Sequence, residues 1–339
     1  MTNNVTSAPS TNPNPEASQT VVTQNENTSQ PTNLTIIGAG AWGSALANVS
    51  ERSGHQIRIW SRRSKETLAE AVQGADVILS AVSMKGVRPV VEQIQALHIP
   101  DDVILVTATK GLDPQTTKTP SQIWQEAFPE HPVVVLSGPN LSKEIMNELP
   151  AATVMASSDV QAAETVQELF ACESFRVYVN TDPLGTELGG TLKNIMAIAS
   201  GVCDGLNLGT NAKAALLTRA LPEMIRVGAV LGADTETFFG LSGLGDLLAT
   251  CDSPLSRNYQ VGYGLSQGKT LSEILDHLEG TAEGVNTTNV LIDLANQQKI
   301  AVPISRQVYR LLNGKITPKE AVQTLMERDL KPEFDDLEF

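Results

Sequence analysis

Between residues 34 and 180 short apolar runs alternate with helical segments, and this alternation limits the possible folds more than any other feature of the chain. The runs are "LTIIGAG", "QIRIWS", "DVILSAVS", "DVILVTATKG", "HPVVVLSGPN", "AATVMAS" and "FRVYVN", most of them rich in β-branched residues and bounded by turn formers. Continuous apolar runs of this length read as strands buried on both faces. Between them, "WGSALANVSERSG", "KETLAEAVQGA" and "GVRPVVEQIQAL" carry apolar residues at helical spacing. Strand and helix in turn imply a parallel or mostly parallel sheet with helices on both faces. Near Asp182 the pattern changes to long helical segments joined by Gly-rich turns, with no convincing strand beyond. The expected organisation is an α/β domain over 33–180 and an all-α domain over 181–330, between a disordered polar tail (1–32) and an acidic tail (331–339). Only one helix fits between the second and third apolar runs, so that half of the sheet is expected to be compact.

A chain of 339 residues has ample material for two such cores. Its formal net charge of −14 argues against binding to nucleic acid or to an anionic membrane surface, although a local cationic site can still take a small anion. Cys172, Cys203 and Cys251 are scattered, without the spacing of metal ligands, and read as reduced thiols. No metal site and no membrane insertion are expected, since no apolar run reaches the roughly 18 residues of a span. The first 32 residues have no Lys or Arg, unlike a signal or transit peptide, so a cytoplasmic location is expected.

The stretch "TIIGAGAWGSALA" places Gly38, Gly40 and Gly43 between a strand and a helix. An ordinary strand–helix turn is the bland reading. In this context the spacing suits a dinucleotide: Gly38 for the tight turn, Gly40 for close approach of a pyrophosphate, Gly43 for packing of helix on strand. The helix N-terminus then offers free N–H groups to the phosphates. Trp42 is either core packing or a lid on the cofactor. At the end of the second strand, "IRIWSRR" presents Arg62 and Arg63 where an acid would grip the ribose diol of NAD, which favours the 2′-phosphate of NADP.

Further along, "ATKG" puts Lys110 at the carboxyl edge of the sheet, and "SGPN" puts Gly138 and Asn140 at the end of the next strand. "LGGTLKN" sets Lys193 and Asn194 in an otherwise apolar helix. A lysine is rarely buried without a partner, and burial would lower its pKa into a range suited to proton transfer; the alternative is a lysine snorkelling at a domain seam. Asp246 is either a working carboxylate or the cap of the helix "LLATC". Arg257 and Asn258, read with Ser256 as part of a polar loop, together suit a phosphate, and the bland reading is a loop like many others. No histidine sits beside an aspartate at a sheet edge, which argues against a His–Asp hydride-transfer enzyme.

In order, "IGAGAWGSALA", "ATKGL", "SGPNLSKEI", "SFRVYVNTDPLGTELGGTLKNIMAIASG", "DGLNLGTNAKAALLTRALPEM", "GLSGLGDLLATC", "SRN" and "AEGVNT" resemble the NAD(P)-dependent glycerol-3-phosphate dehydrogenases over residues 34 to about 328. The resemblance implies a Rossmann-like dinucleotide-binding domain followed by an all-α substrate domain. It implies reversible hydride transfer between NAD(P)H and dihydroxyacetone phosphate, giving sn-glycerol 3-phosphate for glycerophospholipid synthesis. Lys193 would exchange the proton, Lys110 and Asn194 would orient the substrate, and Gly138 and Asn140 would line the pocket. Asp246 would order the lysine and the substrate hydroxyl, while Ser256, Arg257 and Asn258 would hold the phosphate. Trp42, Arg62, Lys110, Ser142, Arg257 and Glu283 would contact the cofactor, and a homodimer would be usual. Two departures stand out, a shorter connection after the second strand and Pro222 inside a helix, where a kink is expected. The rival readings are a β-hydroxyacid dehydrogenase acting on a carboxylate and a non-catalytic NADP-binding sensor.

Overall fold

The computed structural model describes residues 1–2, 32–330 and 332–333; the expected polar and acidic tails lie almost wholly outside the described residues. Seven strands form one sheet: β1 (Asn33–Ile37), β2 (Gln56–Trp60), β3 (Val77–Ser80), β4 (Ile104–Thr107), β5 (Val133–Ser137), β6 (Ala151–Ala156) and β7 (Phe175–Asn180). Their order is β2-β1-β3-β4-β5-β6-β7, parallel except for the antiparallel β5–β6 pair. Period-two alternation divides the strand side chains between two layers. Leu34, Ile36, Val77 and Leu79 pack with α1 (Ala41–Arg52) and α6 (Val160–Phe170) on one face. Ile37, Ile78 and Leu105 pack with α2 (Leu68–Val72), α3 (Met84–Gln95) and α4 (Pro120–Ala127) on the other.

Several boundaries differ from the expectation. The segment "KETLAEAVQGA" is helical only over Leu68–Val72, because Thr67 and Glu70 close a capping box there. Two helices not anticipated are the crossover helix α4, started by a Thr119–Gln122 capping box with Pro120 at its first position, and the five-residue α5 (Ser142–Met146) in the connection between the antiparallel β5 and β6. β2 is an edge strand with exposed Gln56, Arg58 and Ile59, so the sheet stops one strand beyond β1. The chain reverses direction across the sheet between β1 and β3. That reversal opens a crevice at the carboxyl ends of these strands, the usual ligand position in such sheets.

After β7 every described element is helical. α7 (Pro183–Gly205) is buried on nearly all sides, and its apolar residues anchor one core shared with the helices around it. Those helices are α8 (Thr210–Leu231), α9 (Asp246–Asp252), α10 (Arg257–Ser266), α11 (Leu271–His277), α12 (Glu283–Gln298), α13 (Pro303–Leu312) and α14 (Pro318–Met326). A 3₁₀ turn (Thr235–Phe239) and a π turn (Leu241–Gly245) lead into α9. α8 continues through Pro222 as a single helix.

Candidate active site

The glycine loop lies at the reversal between β1 and β3. Gly38 has φ of +121°, and a Cβ there would lie 2.7 Å from the Ala81 carbonyl oxygen at the end of β3. A Cβ at Gly43 would collide with the Gly38 carbonyl. At Gly40, by contrast, nothing lies within 4 Å of an added Cβ, and this residue caps α1 without any side-chain acceptor. The loop is therefore a cradle with one open wall and the free N–H groups of α1 behind it, which fits a bound pyrophosphate. Trp42 is half-buried against the α1–α6 core, and its Nε1 donates to the Ala108 carbonyl at 3.3 Å, which ties the loop to the end of β4. Arg62 and Arg63 stand exposed in the turn after β2.

A second group of residues gathers where the ends of β4 and β5 meet α7 and α9. Lys193 is 7% exposed, and its Nζ donates to Thr250 Oγ1 at 2.5 Å and stands 3.0 Å from Asp246 Oδ1. Thr250 in turn donates to Asp246 Oδ1 at 3.0 Å. The other carboxylate oxygen of Asp246 takes Lys110 Nζ at 2.5 Å, and Lys110 also donates to the Gly138 carbonyl at 3.3 Å. Burial draws the Lys193 pKa down to about 8; Asp246 opposes the shift and the like charge of Lys110 adds to it. Burial alone would raise the Asp246 carboxyl, but Lys110 and Lys193 outweigh it and hold it below its ordinary value. The snorkelling alternative for Lys193 is thereby excluded. So is the helix-cap reading of Asp246, since α9 begins after Gly245 with no side-chain cap.

Ser256, Arg257 and Asn258 form the start of α10 rather than a loop. Ser256 is the N-cap, its Oγ accepting from the Tyr259 N–H at 3.2 Å, while Arg257 is exposed. Proline and serine around "SPLSRN" disguise this helix start in the sequence. The Asn258 amide is oriented by two bonds: Nδ2 donates to Asn194 Oδ1 at 2.9 Å, and Oδ1 accepts from the Gly284 N–H at 3.0 Å, which leaves the second Nδ2 N–H for another acceptor. Glu283, at the start of α12, accepts from the Met84 N–H at 3.3 Å, where α3 has no side-chain cap of its own. Burial raises the Glu283 pKa, with Arg257 and Lys85 pulling the other way. Asn140 turns onto β6, with Nδ2 on the Ala152 carbonyl at 3.1 Å and Oδ1 accepting from Thr153 Oγ1 at 2.9 Å. Ser142 opens α5 and is half-buried. In the sequence the signal of Thr250 is only its four-residue spacing from Asp246, which puts both on one helical face.

A pyrophosphate cradle at the sheet reversal, together with a buried lysine held by a carboxylate and a hydroxyl, fits a nicotinamide-dependent dehydrogenase with an α/β cofactor lobe and a helical partner. Family profiles described as the N-terminus and the C-terminus of NAD-dependent glycerol-3-phosphate dehydrogenase match residues 33–68 and 63–163, and residues 182–323. A glycerol-3-phosphate dehydrogenase [NAD(P)+] of Nostoc sp. is 65% identical over 305 residues, which is 90% of this chain and 99% of that protein. One from Synechocystis sp. is 65% identical over 312 residues, 92% of this chain and 98% of that protein. The crystal structure of the Coxiella burnetii glycerol-3-phosphate dehydrogenase superposes with a TM-score of 0.84 at 35% identity, covering 88% of this chain and 99% of that one. The chain belongs to the NAD-dependent glycerol-3-phosphate dehydrogenase family and is an oxidoreductase that uses NAD or NADP.

Proposed function

We propose that the protein catalyses reversible hydride transfer between NAD(P)H and dihydroxyacetone phosphate, giving sn-glycerol 3-phosphate, with Lys193 exchanging the proton. The observation that carries this reading is the Lys193 ammonium. Of its three donors, one meets Thr250 and one faces Asp246, which leaves the third for a ketone oxygen. When bound, the reduced nicotinamide supplies the hydride to the ketone carbon. Lys193 Nζ donates a proton to the oxygen as charge builds there, and in the reverse reaction the neutral amine takes it back. A pKa drawn down to about 8 suits both directions near neutral pH. Asp246 and Thr250 fix the direction of the lysine, and Lys110 holds the other face of the carboxylate.

The start of α10 suits the substrate phosphate. Among the described residues the N–H groups of Arg257 and Asn258 have no acceptor, and the Arg257 side chain stands exposed beside them. The Asn258 side chain, oriented by its bonds to Asn194 and Gly284, keeps a second Nδ2 N–H for the phosphate and aligns Asn194 beside it. Gly138, Asn140 and Ser142 shape the wall of the pocket from the end of β5. On the cofactor side, Gly38, Gly40, Gly43 and Trp42 hold the dinucleotide, Glu283 closes over it from α12, and Arg62 and Arg63 favour NADP. Residues 33–180 then act as the cofactor domain and 181–330 as the substrate domain. The family resemblance supports a homodimer in the cytoplasm that supplies glycerophospholipid synthesis; among the described residues no helix is long and apolar enough to cross a membrane.

The test is NADPH oxidation on addition of dihydroxyacetone phosphate, with unphosphorylated dihydroxyacetone as control. Lys193→Met preserves volume and should cut kcat by about 10² to 10⁴ while NADPH still binds. Turnover near the wild-type rate in that variant would overturn the role given to the lysine.

A further inference from the structure

We propose that Thr191 is a positioning residue, whose hydroxyl holds the Gly111 backbone amide and thereby sets where the Lys110 ammonium stands against Asp246. The inference rests on the reading of Lys193 given above. Gly111 N–H donates to Thr191 Oγ1 at 3.0 Å, and both residues are buried, with Thr191 at 0% exposure. Residue 111 has little freedom of its own: φ is +151°, and a Cβ there would lie 3.1 Å from the Met84 side chain. The preceding residue of α7 receives Lys110 directly, since a Cβ on Gly190 would lie 3.2 Å from Lys110 Cε and collide with Ser137 Oγ. The stem of Lys110 therefore crosses α7 at Gly190, and its backbone is pinned to α7 at Thr191.

Two other bonds hold the same segment. Thr109 Oγ1 donates to the Val82 carbonyl at 2.9 Å, and Asn286 Nδ2 donates to the Leu112 carbonyl at 3.1 Å. Of the three anchors, Thr191 is the one on the helix that also carries Lys193, two residues further on. It fixes the spacing between the two ammonium groups that share Asp246, one on each carboxylate oxygen. A buried amide left without an acceptor would draw the segment towards another partner or admit water, and Lys110 would move with it.

The test compares two isosteric pairs, Thr191 with Thr191→Val and Thr191→Ser with Thr191→Ala, in the full-length enzyme. In each pair the member lacking the hydroxyl should lose about tenfold in kcat for ketone reduction, with KM for NADPH unchanged. A second readout separates positioning from general loosening. Asp246, Lys110 and Cys251 are the groups that bear on the Lys193 charge, and Lys110 acts to lower its pKa. Displacing Lys110 therefore moves the alkaline limb of the reduction profile, near pH 8 in the wild type, to higher pH. Thr191→Ser should keep both kcat and limb close to wild type. Wild-type kinetics in Thr191→Val would overturn the proposal, as would equal impairment of Ser and Ala, or a lower kcat with an unmoved limb. If the Val variant does not fold, the Ser–Ala pair decides alone. Retained turnover in Lys193→Met would instead sink the site reading beneath it, so the two failures are distinguishable.

Discussion

Lys193 shows how far a single residue can be read before its neighbours are known. A charged side chain inside the stripe of Leu188, Leu192, Ile195 and Met196 signals a buried, perturbed group from the sequence alone. Its partners are less legible. In the sequence Asp246 suits two roles, and Thr250 carries no signal beyond its spacing, because a threonine declares its function only through what it touches. With the pKa drawn down to about 8, the pH dependence has a definite sign. Reduction needs the protonated amine, so kcat/KM for dihydroxyacetone phosphate should be level below pH 7 and fall as pH rises through about 8. Oxidation of glycerol 3-phosphate needs the neutral amine and should rise through the same pH. Lys193→Arg, whose guanidinium does not give up its proton in this range, should lose the oxidation limb altogether. Parallel limbs in the two directions would contradict the assignment.

At the level of elements, continuous apolar runs made the central strands legible, since strands buried on both faces leave little ambiguity, while β2 and β7, each with exposed residues, were legible through their β-branched and aromatic residues. Short elements were harder. The start of α10 was hidden because "SPLSRN" has the composition of a loop, and α4 and α5 because their helical runs are brief. The tightest helix contact also escaped the sequence, as the reason for a glycine in a helix shows only in the packing. α7 and α10 cross backbone to backbone: a Cβ on Gly201 would meet the Tyr259 carbonyl, and one on Gly262 the Ile198 carbonyl. This contact sets the height of the α10 N-terminus beside Asn194. Gly262→Ala should force the helices apart at roughly 1–3 kcal/mol, seen as a Tm lower by several degrees. Because α10 carries Ser256, Arg257 and Asn258, KM for dihydroxyacetone phosphate should rise more than KM for NADPH. Equal rises in both constants, or none, would show that the crossing does not control the phosphate end of the site.

Over the whole molecule, a chain of net charge −14 has to bind a dinucleotide and a phosphorylated ketone, both anionic. Long-range repulsion is largely screened beyond about 8–10 Å at physiological salt, so the donors brought to the carboxyl edge of the sheet decide affinity. On the β2 side the sheet is cut short. β2 is the edge strand, and the N-terminal family profile matches in two pieces that overlap at residues 63–68, just where the chain runs directly from β2 towards α2. The brevity of this connection was legible in the sequence; its consequence, two arginines standing in solvent beside an open edge, needed the sheet order. Cofactor choice should therefore rest on Arg62 and Arg63 with few competing contacts. A ligand that binds only the folded state stabilises it by mass action, so thermal shift ranks cofactors without any turnover. At equal concentration NADPH should raise Tm more than NADH, and added salt should narrow the gap. Replacing both arginines by aspartate should reverse the order, with NADPH affinity falling by about tenfold per arginine. Lys193→Met should keep the wild-type order, because the role proposed for that lysine is on the ketone and not on the ribose phosphate. If the double aspartate variant still ranks NADPH first, the 2′-phosphate is held by other groups, and the open edge of the sheet plays no part in selecting the cofactor.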